Sequence, residues 1–370
     1  MKKRLVALVL ALVLLTVSFL SACSSNTTTD DGKVIELTYS NFFAATHYNS
    51  ILAEQWIQEI EKRSNGKVNI TYYPGGTLAT GPKTYDGVVQ GICDIGMSVL
   101  SYTPARFPTS ELVDLPHSYP NGWVATQVAN DFYNEFKPAE FNDVHVLYFH
   151  GHGPGVIFSA NKPVRTLADL NGMTIRGTGI GVEIVQALGA QGVGKSQAES
   201  YELLSKGLVD GSYSPREVLK GWNNADVVKY VTSCTDVGNT SMMFVAINKD
   251  KWNSLPANVQ KVFTDVSKEW IQNHGKVWNY YDQAGLELFL SKGNGREVIT
   301  LSKDEMSKWV QKTVPLMEKA ITDRNAKGLP ATQIDKYITE RVKYWSGRTP
   351  KDADVKTYVE SEVANWKAGK

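Results

Sequence analysis

Hydrophobic and polar positions change period along this chain in a way that alternates strands with helices. Val34 to Ser40 (VIELTYS) alternates as a strand does, and His47 to Ser64 then places Ile51, Leu52, Trp56, Ile57 and Ile60 on one helical face. Asn65-Gly66 ends that helix, Val68, Ile70 and Tyr72 alternate again, and Pro74-Gly75-Gly76 closes a βαβ unit. Further strands are predicted at GICDIGM, at Val144 to Phe149, at Val227 to Thr232 and at Met242 to Asn248, the last buried on both faces because its apolar run is continuous. From Leu255-Pro256 a helical period carries Val259, Val262, Phe263, Val266, Trp270 and Ile271 on towards Leu290. About 35 residues at 1.5 Å each reach on the order of 50 Å, enough to brace two lobes. The stretch from Arg296 to Lys370 reads as helices joined by polar links.

Residues Val164 to Pro215 carry the most specific pattern. Thr166 is placed to cap a short helix (LADL), Asn171-Gly172 marks a turn, and MTIR is a strand with Arg176 at its carboxyl end. Ligands of open α/β sheets lie beyond the carboxyl ends of strands. The planar fork of Arg matches a carboxylate with two parallel hydrogen bonds. Gly177 and the GTGIG segment then lead into a helix whose first amides would help hold an anion. GTGIG is not a dinucleotide fingerprint, because Val182 stands where the third Gly is needed.

The chain begins with a basic start (KKR), an apolar run from Leu5 to Leu20, and Leu20-Ser21-Ala22-Cys23. This reads as a signal peptide over residues 1–22 with a lipobox that leaves Cys23 acylated, followed by a polar tether over 23–33. Loss of Lys2, Lys3 and Arg4 turns the net charge from +1 to −2, which excludes a basic polymer-binding surface and hence nucleic acid. A 348-residue remainder that shares the chain's 42% hydrophobic composition predicts two lobes. Cys93 and Cys234 read as two buried free thiols. No GxSxG, HExxH or favoured Cys-His spacing points to an enzyme, and no cofactor or metal site is expected. His150 and His152 would share a strand face, but no carboxylate or Cys joins them to complete a metal set.

PVRTLADLNGMTIRG, ALGA, ESYELLSKGLVDG and the Pro four residues after that last Gly resemble the extracytoplasmic solute-binding proteins of TRAP transporters, the DctP-like family. The resemblance runs from about Ile35 to about Gly293 and includes the NGKV and PGG segments. It implies an α/β, two-lobed periplasmic-binding-protein-like fold with a hinge and a long helix spanning both lobes. The expected division is 34–150 plus about 242–285 for lobe 1, 151–241 plus about 286–340 for lobe 2, and a helical extension over 341–370.

The resemblance further implies that Arg176 binds the ligand's carboxylate. Phe43 in the loop NFFAATHY, Tyr102 and Phe107 in the Pro-rich loop 98–120, and Tyr213 and Ser214 before Pro215 are the other candidates for ligand contact. Arg106 reads as a surface ion pair and Asp94 as a residue that orders a bend. Where many relatives carry a second Arg, about 20 residues before Arg176, this chain has Val156, which favours a monocarboxylate with an apolar or aromatic body. Function follows as capture of a small organic acid by lobe closure and delivery to the TRAP membrane subunits, from a lipid-anchored position outside the cytoplasm. A ligand-sensing surface lipoprotein and an ABC-type binding protein are the alternatives.

Overall fold

A computed structural model describes residues 33–293 and 295–368. The predicted signal peptide and Cys23 lie outside the described residues. All strands and helices below belong to the unit Ile35–Lys370.

Two sheets form the cores of two lobes. The first holds β1 (Ile35–Asn41), β2 (Val68–Tyr73), β3 (Ile95–Val99), β4 (Val144–Gly151) and, inserted between β3 and β4, a strand from later in the chain, Met242–Asn248. The second holds β5 (Val156–Ser159), β6 (Thr174–Gly177), β7 (Gln191–Gly194), β8 (Gly211–Ser214) and β9 (Tyr230–Ser233), with β10 as the Met242–Asn248 strand of the first sheet and β11 (Glu297–Thr300) at the edge beside β9. Orders are β2-β1-β3-β10-β4 and β11-β9-β5-β8-β6-β7. Each sheet is parallel except for one strand. That strand is β10 in the first and β5 in the second, the two that enter directly after the chain crosses between lobes. The crossings are therefore residues 152–155 and 234–241, and the carboxyl ends of the parallel strands in both lobes face the gap between them.

The expected helix after β1 runs Tyr48–Arg63, capped by His47, whose ring accepts the amide of Asn49, and stopped at Ser64 before Asn65 and Gly66 at positive φ. LADL forms a single 3-10 turn under a full capping box from Thr166 and Asp169. The long helix spans Ala257–Ser291. Its Val259, Phe263, Val266 and Trp278 pack in the first lobe's core, and Phe289 packs in the second's. It thus ties the two lobes together.

The C-terminal region differs from expectation. Helix Ala331–Ser346 runs straight through the expected boundary at residue 340, and Ile334, Ile338 and Val342 bury against Val124, Val128 and Phe132 of helix Gly122–Phe136 in lobe 1. An apolar stripe at i, i+4, i+8 must be covered, and the nearest uncovered apolar face is in lobe 1 rather than lobe 2. Helix Asp352–Ala368 returns to the same lobe, with Val355 and Val359 in its core. Glu297–Thr300, read as part of a helical stretch, is instead edge strand β11. The strand expected at Val227 to Thr232 begins three residues later, at Tyr230, after a 3-10 turn over Asn224–Asp226.

Candidate functional site

Residues at the ends of β1, β3, β6 and β8 converge on a cleft between the two lobes. Phe42, Phe43, Tyr102, Arg176, Thr178, Gln197, Tyr213, Ser214, Glu217, Trp222 and Trp278 are among its lining residues.

Arg176 is the feature around which the rest is arranged. It leaves β6 at its carboxyl end and is 2% exposed. Its Nε and Nη2 donate to the carbonyl of Lys195 at 2.9 and 2.7 Å, and Nη1 donates to Gln197 Oε1 at 2.7 Å and Ser214 Oγ at 2.9 Å. Nη2 also donates to Thr178 Oγ1. All five N–H groups are thus held by neutral oxygens, and no carboxylate forms an ion pair with the guanidinium among the described residues. Burial pushes its pKa down, yet a guanidinium stays charged, so a full positive charge sits in the cleft wall without a counter-anion.

Groups beside Arg176 keep hydrogen-bond donors to spare. A guanidinium only donates, so Gln197 must present its oxygen to Arg176, and its buried Nε2 is left without a partner. Tyr102 accepts the amide of Gln197 at 2.8 Å across the cleft, which leaves its own hydroxyl hydrogen free, and burial holds that phenol protonated by raising its pKa. Ser214 and Tyr213 both line the cleft, with Tyr213 donating to Asn239 at 2.7 Å.

A second group of lining residues is aromatic. Phe42 and Phe43 stack at 4.2 Å, and Trp222 lies 6.0 Å and 5.5 Å from them, so rings from the first lobe meet a ring from the second. Glu217, three residues past the end of β8, is 2% exposed, and its Oε2 stands 3.4 Å from His47 Nε2 of the first lobe. The lobes are in contact here. They touch again where Gly179 faces Ser101, because a Cβ at Gly179 would fall 2.5 Å from Ser101 Cβ, and φ of +51° also requires glycine. The structure is a closed one.

Of the residues singled out in the sequence, Arg176, Ser214, Tyr213, Phe43 and Tyr102 come together in the cleft. Phe107 does not. It is fully buried in lobe 1, edge-on to Tyr85 at 4.8 Å and stacked on Phe141 at 5.1 Å, because its loop turns the ring inward to fill the core. Gly177 is also off the lining: the turn at Gly181 and Val182 lies directly over it, and their amides are used within that turn, on Thr178 and Gly179. Arg106 forms its ion pair with Asp143 at 2.5 Å and lies over the Tyr85 ring, outside the cleft. Asp94 accepts from the amide and hydroxyl of Thr38, ordering the backbone as expected.

Val156 is buried in the core of lobe 2, and its neighbour Gly155 is the residue that lines the cleft. His150 accepts from Trp278 Nε1 at 3.1 Å and stacks on His274, and His152 lines the cleft with its pKa lowered by burial to about 4. Glu217, Gln197, His47 and Trp222 were not anticipated. Glu217 follows the carboxyl end of β8 as Arg176 ends β6, so the rule that found Arg176 would have found it.

Two α/β lobes closed over a buried cation, with lining groups drawn from both, define a solute receptor that works by closure and release. The model for the bacterial extracellular solute-binding protein family 7 matches residues 39–323. The chain belongs to that family, and it is an extracytoplasmic solute-binding protein of the TRAP transporter type. A TRAP periplasmic solute-binding protein from Desulfovibrio salexigens is 33% identical, with a TM-score of 0.75 over 86% of this chain and 98% of that one. A TRAP solute-binding protein from Rhodoferax ferrireducens, in complex with copurified benzoate, is 25% identical, with a TM-score of 0.80 over 85% and 99%. The C4-dicarboxylate-binding periplasmic protein of Vibrio cholerae is 23% identical over 330 residues, 85% of this chain and 95% of the relative.

Proposed function

We propose that this receptor captures a small organic acid with one carboxylate and an apolar or aromatic body, and presents it to the TRAP membrane subunits from a lipid anchor at Cys23. The observation that carries the reading is Arg176, a buried charge held only by neutral acceptors, with no acid partner among the described residues. An entering carboxylate replaces the neutral acceptors Gln197 and Ser214 on Nη1 and takes further hydrogen bonds from Gln197 Nε2 and Tyr102. Closure follows because Arg176, Gln197 and Ser214 belong to lobe 2 and Tyr102 and Phe43 to lobe 1, so only the closed state makes every contact.

The single-carboxylate part of the reading rests on Glu217. It is a buried acid in the cleft lining, so a second carboxylate beside it would meet another acid instead of a second cation. Phe42, Phe43 and Trp222 in the lining suit a flat apolar body, as benzoate is in the Rhodoferax relative.

A thermal-shift panel on the purified protein tests this. Aromatic, 2-oxo and 2-hydroxy monocarboxylates are expected to raise the melting temperature, since a ligand at 100 times its Kd adds about 2.7 kcal/mol. A shift with succinate or malate and none with the monocarboxylates would overturn it. Cys23→Ala is expected to move the protein from the membrane to the soluble fraction, and a wild type that is already soluble would remove the anchor from the proposal.

A further inference from the structure

Glu217 lines the cleft, yet its carboxylate is turned to groups of the first lobe. It follows β8 of lobe 2, and its Oε2 stands 3.4 Å from Nε2 of His47 in lobe 1. His47 Nδ1 accepts the amide of Asn49, so the proton of the neutral ring is on Nε2 and faces the acid. The next residue, Tyr48, is buried, and its hydroxyl has no other partner. Burial first, and then the Glu217 carboxylate beside it, push the pKa of that phenol well up, so it keeps a proton to donate. Two neutral donors of lobe 1 thus face one acid of lobe 2.

Neighbouring residues shape the contact. Tyr48 lies flat on Tyr281 of the long helix at 3.9 Å, and the adjoining Asp282 accepts the amide of Glu217 at 2.9 Å, so the same helix sets donor and acceptor against each other. Gly221 leaves the room: a Cβ there would come within 2.5 Å of both Glu217 Oε2 and His47 Nε2. None of His47, Tyr48 and Gly221 lines the cleft. Side-chain exposures of 1% for His47 and 2% for Glu217 make this a buried contact, not a surface pair that salt and water would weaken. A buried acid is stable only while donors face it, and in parted lobes water serves it instead. The contact therefore weighs on the closed side of the balance alone.

We propose that Glu217 is a latch between the lobes: closure carries its carboxylate to the His47 and Tyr48 donors, and this contact sets how long the closed receptor holds its solute. Glu217 is a positioning residue in this role, acting on the solute through closure. The proposal rests on the reading of the cleft as an acid site that closes, and on no particular acid. The latch forms once the solute is inside, so it governs departure and not arrival. Because every member is a protein group, it also favours the closed state of the free protein.

Tyr48→Phe removes one donor, and Gly221→Ala drives a methyl group between the partners; both residues lie outside the cleft lining. Stopped-flow and calorimetry on the full chain with benzoate as the probe, and small-angle scattering without it, test the idea in variants that melt cooperatively. Each variant is expected to release benzoate about 10- to 100-fold faster than the wild type, the range for a hydrogen bond to a charged group, with association unchanged and Kd raised by the same factor. The double variant is expected to lose less than the product of the two factors, because both changes undo one contact. The free variants are expected to show a larger radius of gyration than the free wild type. Unchanged release in both variants, or a loss confined to association, would overturn the latch while leaving Arg176 as the carboxylate site. Should the wild type bind no benzoate, scattering decides: equal radii for the free wild type and both free variants would overturn the latch, and larger radii in the variants would uphold it.

Discussion

Replacing Arg176 with Met removes the cleft's central charge while keeping an unbranched apolar stem of similar reach. In the wild type the guanidinium is 2% exposed and its five donors are already aligned by Lys195, Gln197, Ser214 and Thr178, so a ligand carboxylate meets a preorganised fork. Without it the carboxylate is buried against Gln197, Ser214 and Tyr102 alone. Leaving one member of a buried, hydrogen-bonded charge pair costs about 2 to 5 kcal/mol, or roughly 30- to several-thousand-fold in Kd. The unliganded fold is expected to suffer less, because no acid loses its partner and burial already disfavours the charge. Titration calorimetry with an aromatic monocarboxylate reads the first effect, and a melting curve without ligand reads the second. Arg176→Lys is expected to fall between, since an ammonium keeps the charge and loses the fork. A Kd for Arg176→Met within threefold of the wild type, in a variant that still melts cooperatively, would refute the assignment.

Three further outcomes follow from the geometry. Gly179→Val puts a Cβ where Ser101 lies on closure, so ligand affinity is expected to fall at least tenfold and small-angle scattering with saturating ligand to show a larger radius of gyration than the wild type; an unchanged Kd would show that the lobes need not meet there. Tyr102→Phe removes both the acceptor for the Gln197 amide and a donor to the ligand, with an expected loss of about 1 to 3 kcal/mol, roughly 5- to 150-fold in Kd, for every acid tested. His274 is held neutral by burial, its pKa lowered to about 3, while in the unfolded chain it titrates near 6.5. Unfolding therefore takes up a proton below pH 6.5, and the wild type should lose stability relative to His274→Gln as pH falls, by about 2 kcal/mol at pH 5, with no pH-dependent difference above pH 7.5. Urea midpoints at the two pH values check this, and parallel pH profiles would contradict it.

The readable parts of the chain were those whose signal is local. Arg176 stands out because MTIR is a short alternating strand with a turn before it and a helix after it. The Met242–Asn248 strand and the helix over Ala257–Ser291 show themselves by apolar runs of the right period and length. What was not legible depends on direction or on meeting across the fold. Phe107 sits in the same Pro-rich loop as Tyr102, and composition does not encode that one ring turns into the core and the other into the cleft. His47 looks like a helix cap, and it is one, through Nδ1; its second role through Nε2 requires Glu217, 170 positions later in the other lobe. The four-residue strands Gln191–Gly194 and Glu297–Thr300 are too short to show a period, and their pairing with Thr174–Gly177 and Tyr230–Ser233 defines them. Val156 marks a position where a cation is lacking, yet its side chain is in the lobe 2 core, so the proposed preference for one carboxylate rests on Glu217 instead.

The most direct test is a crystal structure of the protein with an aromatic monocarboxylate that it binds. The account predicts closed lobes, both carboxylate oxygens within about 3 Å of the Arg176 guanidinium, and the ring against Phe43 and Trp222. A ligand whose carboxylate lies away from Arg176, or is held there only through water with the lobes open, would contradict it.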